Sequence, residues 1–148
     1  MPHAPAPLEE LHRKLADEGA VPRFVAARLG TVRGADDRDI DVEVTFETAP
    51  SVLFDAVVIP DGEAGIRALA AIGHAVEFVK DQYRHCKTIL ALGAGSQLLD
   101  AAGVPAPDRS RGDPGVLRAA DAAKAAAPFI AAVSKHRHFD RQTDPPLV

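Results

Sequence analysis

The stretch Thr88-Ile-Leu-Ala-Leu-Gly-Ala-Gly-Ser-Gln-Leu-Leu-Asp100 decides the fold. Thr88 to Leu92 is a short, continuous apolar run, as expected of a strand buried on both faces. Gly93-Ala-Gly95 then marks a tight turn, and Gly95 to Ala102 has the length and composition of a short helix stopped by Gly103. Strand, glycine turn and helix in that order are one half of a parallel α/β unit.

Working outward, Ala56-Val-Val-Ile59 repeats the pattern and is followed by the turn residues Pro60-Asp-Gly62. The two apolar runs predict adjacent, buried, parallel strands. Two helical stretches lie between them, about Glu63 to Ile72 and His74 to His85, divided near Gly73. Towards the N-terminus, Leu8, Leu11 and Leu15 share one helical face, and Gly19 ends that helix. Val21 to Ala27 reads as a strand. Leu29 to Val42 reads as a small hairpin with its turn at Gly34 to Asp37, and Val42, Val44 and Phe46 alternate as in a half-exposed strand ended by Pro50. Beyond the central unit, Val104 to Gly115 carries three prolines and is a loop. Asp121 to Arg137 is an Ala-rich helix in which Pro128 marks a kink or a break. Residues 138 to 148 form a tail along a surface, and residues 1 to 7, rich in Pro and Ala, form a disordered lead. The organisation is one domain over residues 8 to 148, of α/β class with a mainly parallel sheet.

Composition narrows the function. The 148 residues are 47% hydrophobic and 26% charged, with a formal net charge of −4. No basic stripe is present and aromatic residues are only 5%, which argues against a nucleic-acid partner. No apolar stretch approaches the ~20 residues of a membrane span. With no signal-peptide pattern at the start, a cytoplasmic location is expected. A single cysteine, Cys86, forbids an internal disulfide.

Each candidate for chemistry has a plainer reading. Gly93, Ala94 and Gly95 could present main-chain N–H groups to an anion, but a third glycine of a dinucleotide fingerprint would fall at Leu98, so close packing of the turn on the sheet is favoured. Ser96 stands in the wrong place relative to the glycines for a nucleophile elbow. Cys86 follows the C-terminal end of a predicted helix, the wrong end to favour a thiolate. His136 and His138 are two apart, and on a helix they diverge. A zinc site needs three or four ligands, so solvated cations at a helix end are expected instead. The acidic run Asp36-Asp-Arg-Asp39 reads as a solvated turn. No residue is assigned to a cofactor or a metal, and no haem ligand is expected: Tyr83, the one tyrosine, lacks a basic residue four positions before it.

Several segments together resemble the C-terminal domain of large-subunit catalases. They are Gly19-Ala-Val-Pro-Arg-Phe-Val-Ala-Ala-Arg-Leu-Gly-Thr-Val32, Thr48-Ala-Pro-Ser-Val-Leu-Phe-Asp-Ala-Val-Val-Ile-Pro60, Phe78-Val-Lys-Asp-Gln-Tyr-Arg-His85, Leu92-Gly-Ala-Gly-Ser-Gln-Leu-Leu99, Gly112-Asp-Pro-Gly115 and Phe129 to Arg141. That domain is similar to the class I glutamine-amidotransferase-like superfamily, which includes PfpI-type proteases. The resemblance implies a flavodoxin-like three-layer sandwich. It also implies that Gly93 stands where active relatives carry a reactive Cys, and that the domain is a non-catalytic appendage to a haem-bearing core. The opening strand of such a sheet is missing before Leu8. The start of the chain is then truncated, or the gap is filled by another chain or closed by pairing of Val21–Ala27 with Ala56–Ile59. The resemblance thus implies a domain that supports assembly or stability, with a homo-oligomer or a catalase core as partner. A free-standing amidotransferase-like enzyme with another nucleophile, or a holdase-like binder of unfolded chains, are the alternatives.

Overall fold

A computed structural model of the chain describes residues 6–33, 39–105 and 113–141. Its central sheet has three parallel strands in the order β5-β6-β7, with β5 at Ala56–Ile59, β6 at Thr88–Leu92 and β7 at Val116–Ala119. The register pairs Val57 with Ile89 and Ala91 with Arg118. Adjacency of the two apolar runs is therefore as their sequence predicts. Every residue of β6 is buried, whereas β5 is mostly half-buried because it forms one side of this sheet. The third strand, β7, was not foreseen. Its sequence, Val-Leu-Arg-Ala, is too short and mixed to show a period.

Helices cover both faces of the sheet. On one side lie α2 (Glu63–Ala70), α3 (Gly73–Arg84) and α4 (Ser96–Ala101). Ile59, Ile89 and Ala91 meet Ile66, Val79, Leu98 and Leu99 there. On the other side lie α1 (Ala6–Asp17) and α5 (Ala122–Val133), where Leu90 and Leu92 pack on Leu11, Ala125 and Phe129. Alternation along β6 thus sends odd and even side chains to different layers. Each fully buried Ile or Leu contributes ~1.5–3 kcal/mol. The result is the three-layer α/β sandwich expected from the resemblance.

The smaller strands depart from the sequence reading. Val21–Ala27 yields only β1 (Val25–Ala26), and the alternating run from Val42 divides between β3 (Asp39–Val42) and β4 (Val44–Thr45). β1 pairs in parallel with β4 and not with β5, so direct closure of the sheet by Val21–Ala27 is overturned. β2 (Gly30–Arg33) and β3 do form the expected antiparallel hairpin, whose turn lies outside the described residues, as does most of the acidic run at 36–39.

Helix ends explain two other differences. α1 begins at Ala6, with Pro7 in its first turn, where a missing N–H costs nothing. α5 ends at Val133 rather than Arg137, and Asp121 caps its start by accepting from the Ala123 N–H at 2.8 Å. Pro128 stays inside that helix. It and Lys124, the residue whose carbonyl loses its donor, are both exposed, so water can take that bond. The expected tail beyond Arg141 and the lead over residues 1–5 lie outside the described residues.

Candidate functional site

The turn after β6 sits at the carboxyl ends of the parallel strands, where open α/β sheets place their sites. Gly93–Gly95 forms a 3₁₀ turn and Gly93 has φ 50°, a left-handed value that glycine accepts without strain. The neighbouring strand delivers Asp61 to the same place. A Cβ built on Gly93 would collide with the Asp61 carboxylate, whose Cγ and both oxygens fill that space. Oδ1 of Asp61 accepts from the Gly62 N–H at 2.7 Å and from the Ala94 N–H at 2.8 Å. The main-chain donor that could have faced an external anion is thus spent on a carboxylate of the chain itself.

The rest of the turn is occupied as well. A Cβ on Gly95 would lie 2.9 Å from the carbonyl oxygens of Ile59 and Pro60. Close packing on the next strand is therefore why glycine stands there. Ser96 Oγ donates to the Gly93 carbonyl at 3.2 Å, a bond that stabilises the turn and directs the hydroxyl at its own backbone. Leu98, where a dinucleotide fingerprint would need glycine, is buried in the core. Gly93, Ala94 and Gly95 together supply geometry without a reactive group. Asp61 was missed by sequence reasoning as part of this site. Its position just past the end of a buried strand was the available signal.

Cys86 lies at the other end of β6 and is 2% exposed. Lys87 N–H donates to the Gln82 carbonyl and Cys86 N–H to the Tyr83 carbonyl, both at 3.0 Å. These are the bonds of a Schellman cap, with Cys86 at the left-handed position that glycine usually takes. Its φ is 62°. Its thiol points at the Arg84 carbonyl, 3.9 Å away.

Lys87 is equally buried, and its ammonium donates to the carbonyls of Ser51, Val52 and Phe54. Burial lowers its pKa, and nearby Arg137 adds to the effect. Gln82 Nε2 donates to the Ser51 carbonyl at 2.8 Å. Both side chains secure the 3₁₀ turn Ser51–Leu53 that leads into β5.

The two C-terminal histidines are separated by environment. His136 is exposed with φ 63°. His138, expected as a solvated helix-end cation, is instead buried, with Nε2 2.9 Å from Thr88 Oγ1. The early end of α5 permits this, because the chain turns back across the sheet. Among the described residues, no group of three or more His, Cys, Asp or Glu is placed to hold a metal ion. None of the helices there is long and apolar enough to cross a membrane. A cavity of about 280 Å³ lies elsewhere, lined by Glu9, His12, Phe24 and residues of the β3 segment.

Comparison with known proteins agrees with this geometry. The chain is 22% identical to a ThiJ/PfpI family protein from Pseudomonas syringae, with a TM-score of 0.70 over 92% of this chain and 66% of that one. A ThiJ/PfpI domain protein from Brachyspira murdochii gives 0.71 at 17% identity over 86% of each chain. These structures establish the flavodoxin-like fold. In sequence, the chain is 37% identical to catalase HPII of Mycobacterium avium over 142 residues, 88% of this chain and 20% of that protein. It is 29% identical to a deglycase of Pyrococcus abyssi over 105 residues, 71% of this chain and 63% of that one. The chain therefore spans about a fifth of the length of the catalase it resembles. The pattern of the C-terminal domain found in long catalases matches residues 4–143, and the chain belongs to that family.

Proposed function

We propose that the chain is a non-catalytic, cytoplasmic domain that supports the assembly or stability of a catalase core, or of itself by self-association. One observation carries this reading. At the place where a nucleophile would stand, Gly93 has no side chain and the Asp61 carboxylate fills the vacancy. A nucleophile needs a reactive atom, and Gly93 supplies none. What remains is a well-packed sandwich, suited to presenting a surface. The proposal is tested by grafting the chain onto a long catalase in place of that enzyme's own C-terminal domain. The graft should restore a thermal inactivation half-life that deletion of the domain shortens. An inactivation rate equal to that of the deletion would count against the role.

The likeness to the Pyrococcus deglycase favours a second reading, a free-standing PfpI-like enzyme. Its nucleophile would have to come from outside the Gly93 turn. Cys86 is roughly 20 Å from that turn along the strand, at ~3.3 Å per residue. Deglycase or esterase turnover by the purified chain, abolished by Cys86→Ser, would support the enzyme. Absence of turnover supports the assembly role.

A further inference from the structure

Residues 137–141 cross the sheet at the end opposite the Gly93 turn, as a strap tied at several points. The His138 N–H donates to the Cys86 carbonyl at 2.7 Å, and Arg137 Nη1 donates to the His85 carbonyl at 3.0 Å. Arg141 is the main anchor. Its guanidinium donates to the carbonyls of Tyr83 and Lys87 at 3.1 and 2.9 Å, and pairs with Asp113 at 2.6 Å. It also lies 4.6 Å from the centre of the Tyr83 ring. A Cβ on Gly115 would collide with the His138 ring and would come within 2.6 Å of Arg141 Nη2. The imidazole and the guanidinium therefore share one small space above Gly115.

We propose that this strap is a pH-operated clasp, shut by neutral His138 and loosened when the imidazole gains a proton beside Arg141. Charge is the reason. Arg141 already has its counter-ion in Asp113, the carboxylate that precedes β7. Among the described residues, no second carboxylate acts on the ring. Tyr83 of α3 and Lys87 before β6 meet Arg141 through their carbonyls, and the Cys86 carbonyl takes the His138 N–H. Lys135 at the end of α5 is a further cation acting on the ring. On the strap itself, Arg137 is cationic, and the exposed Asp140 is the other acid there. A proton on His138 would place two cations against one acid. With the neutral ring's proton on Nδ1, Nε2 accepts from Thr88 Oγ1; a second proton would turn Nε2 into a donor, and the fully buried hydroxyl would need another acceptor.

Burial lowers the pKa of His138, and Arg141 lowers it further, while Asp113 and a backbone hydrogen bond to Ala132 oppose the shift. The open strap then binds the proton more readily than the closed one. Closure is complete above the ordinary imidazole value of about 6.5 and weakens as pH falls below it.

Hydrogen exchange of the full chain, corrected for intrinsic rates, tests this between pH 7.5 and 5. The opening constant of amides 137–141 should rise by up to about tenfold per pH unit below about 6.5, while amides of β6 stay protected. His138→Gln keeps a polar group towards Thr88 and should flatten that dependence. Equal protection of the strap at both pH values would overturn the proposal, as would an unchanged pH dependence in the variant. If the variant does not fold, the His138 ring titration in the unaltered protein decides. A midpoint below the ordinary value supports the clasp, and one at or above it removes its basis.

Discussion

The carboxylate of Asp61 occupies the space that a side chain on Gly93 would need. Two adjacent parallel strands end side by side, so the first residues beyond each meet. Asp61 answers two main-chain N–H groups there, and Gly93 yields the room. Either residue alone looks like an ordinary turn. Together they form a turn whose open space is filled by a carboxylate of the same chain.

Gly93→Cys should therefore destabilise the protein by about 1–3 kcal/mol, through left-handed strain and displacement of Asp61 from its donors. Gly93→Cys with Asp61→Gly should recover part of that loss. Chemical unfolding of the two single variants and the double variant measures the coupling. Additive effects would show that the carboxylate and the position-93 side chain do not compete.

Gly95→Ala is a separate test of the packed turn. The added methyl would press on two carbonyl oxygens of the neighbouring strand, and backbone yields less readily than a side chain. A loss of about 1–3 kcal/mol is expected, the range for overpacking. A melting temperature equal to that of the unaltered protein would mean the strands separate easily at this end.

Cys86 should resist thiol reagents in the native state. It is 2% exposed at the C-terminal end of a helix. Labelling should proceed only through opening of the structure, and so should accelerate sharply across the unfolding transition. Prompt labelling of the folded protein would contradict this placement.

Arg141→Met should cost about 3–5 kcal/mol. It removes a buried cation, which breaks the ion pair with Asp113 and takes the guanidinium donors from the carbonyls of Tyr83 and Lys87. The Tyr83 carbonyl keeps the Cys86 N–H, and Asp113 keeps the Gly115 N–H. Arg141→Lys should recover only part of that loss, because one ammonium cannot reproduce the planar fork that reaches all three. Denaturant unfolding checks the order of the three proteins.

Self-association is the outcome expected of the purified chain. Among the described residues, β5 pairs only with β6, and an unpaired strand edge is a template for another strand. Sedimentation at micromolar concentration should show a dimer or larger species. A stable monomer with a cooperative melt would mean that the edge is covered within the chain.

The sequence by itself determined the central unit. Ala56–Ile59 and Thr88–Leu92 are apolar, β-branched or branched runs between turn residues, and that pattern fits few structures other than buried parallel strands. Gly93-Ala-Gly95 as a tight turn, and Gly19 and Gly103 as helix stops, followed from glycine's lack of a Cβ. The tertiary structure alone decided the contents of the site. Asp61 and Gly93 are 32 positions apart, and no local rule says that one fills the other's place. It also decided that His138 is buried rather than solvated, that Cys86 takes a glycine's conformation, and that Val116–Ala119 is a strand. Periodicity reports which face of an element is apolar. It carries no information about which polar groups, distant in sequence, will have to satisfy one another once those faces are buried.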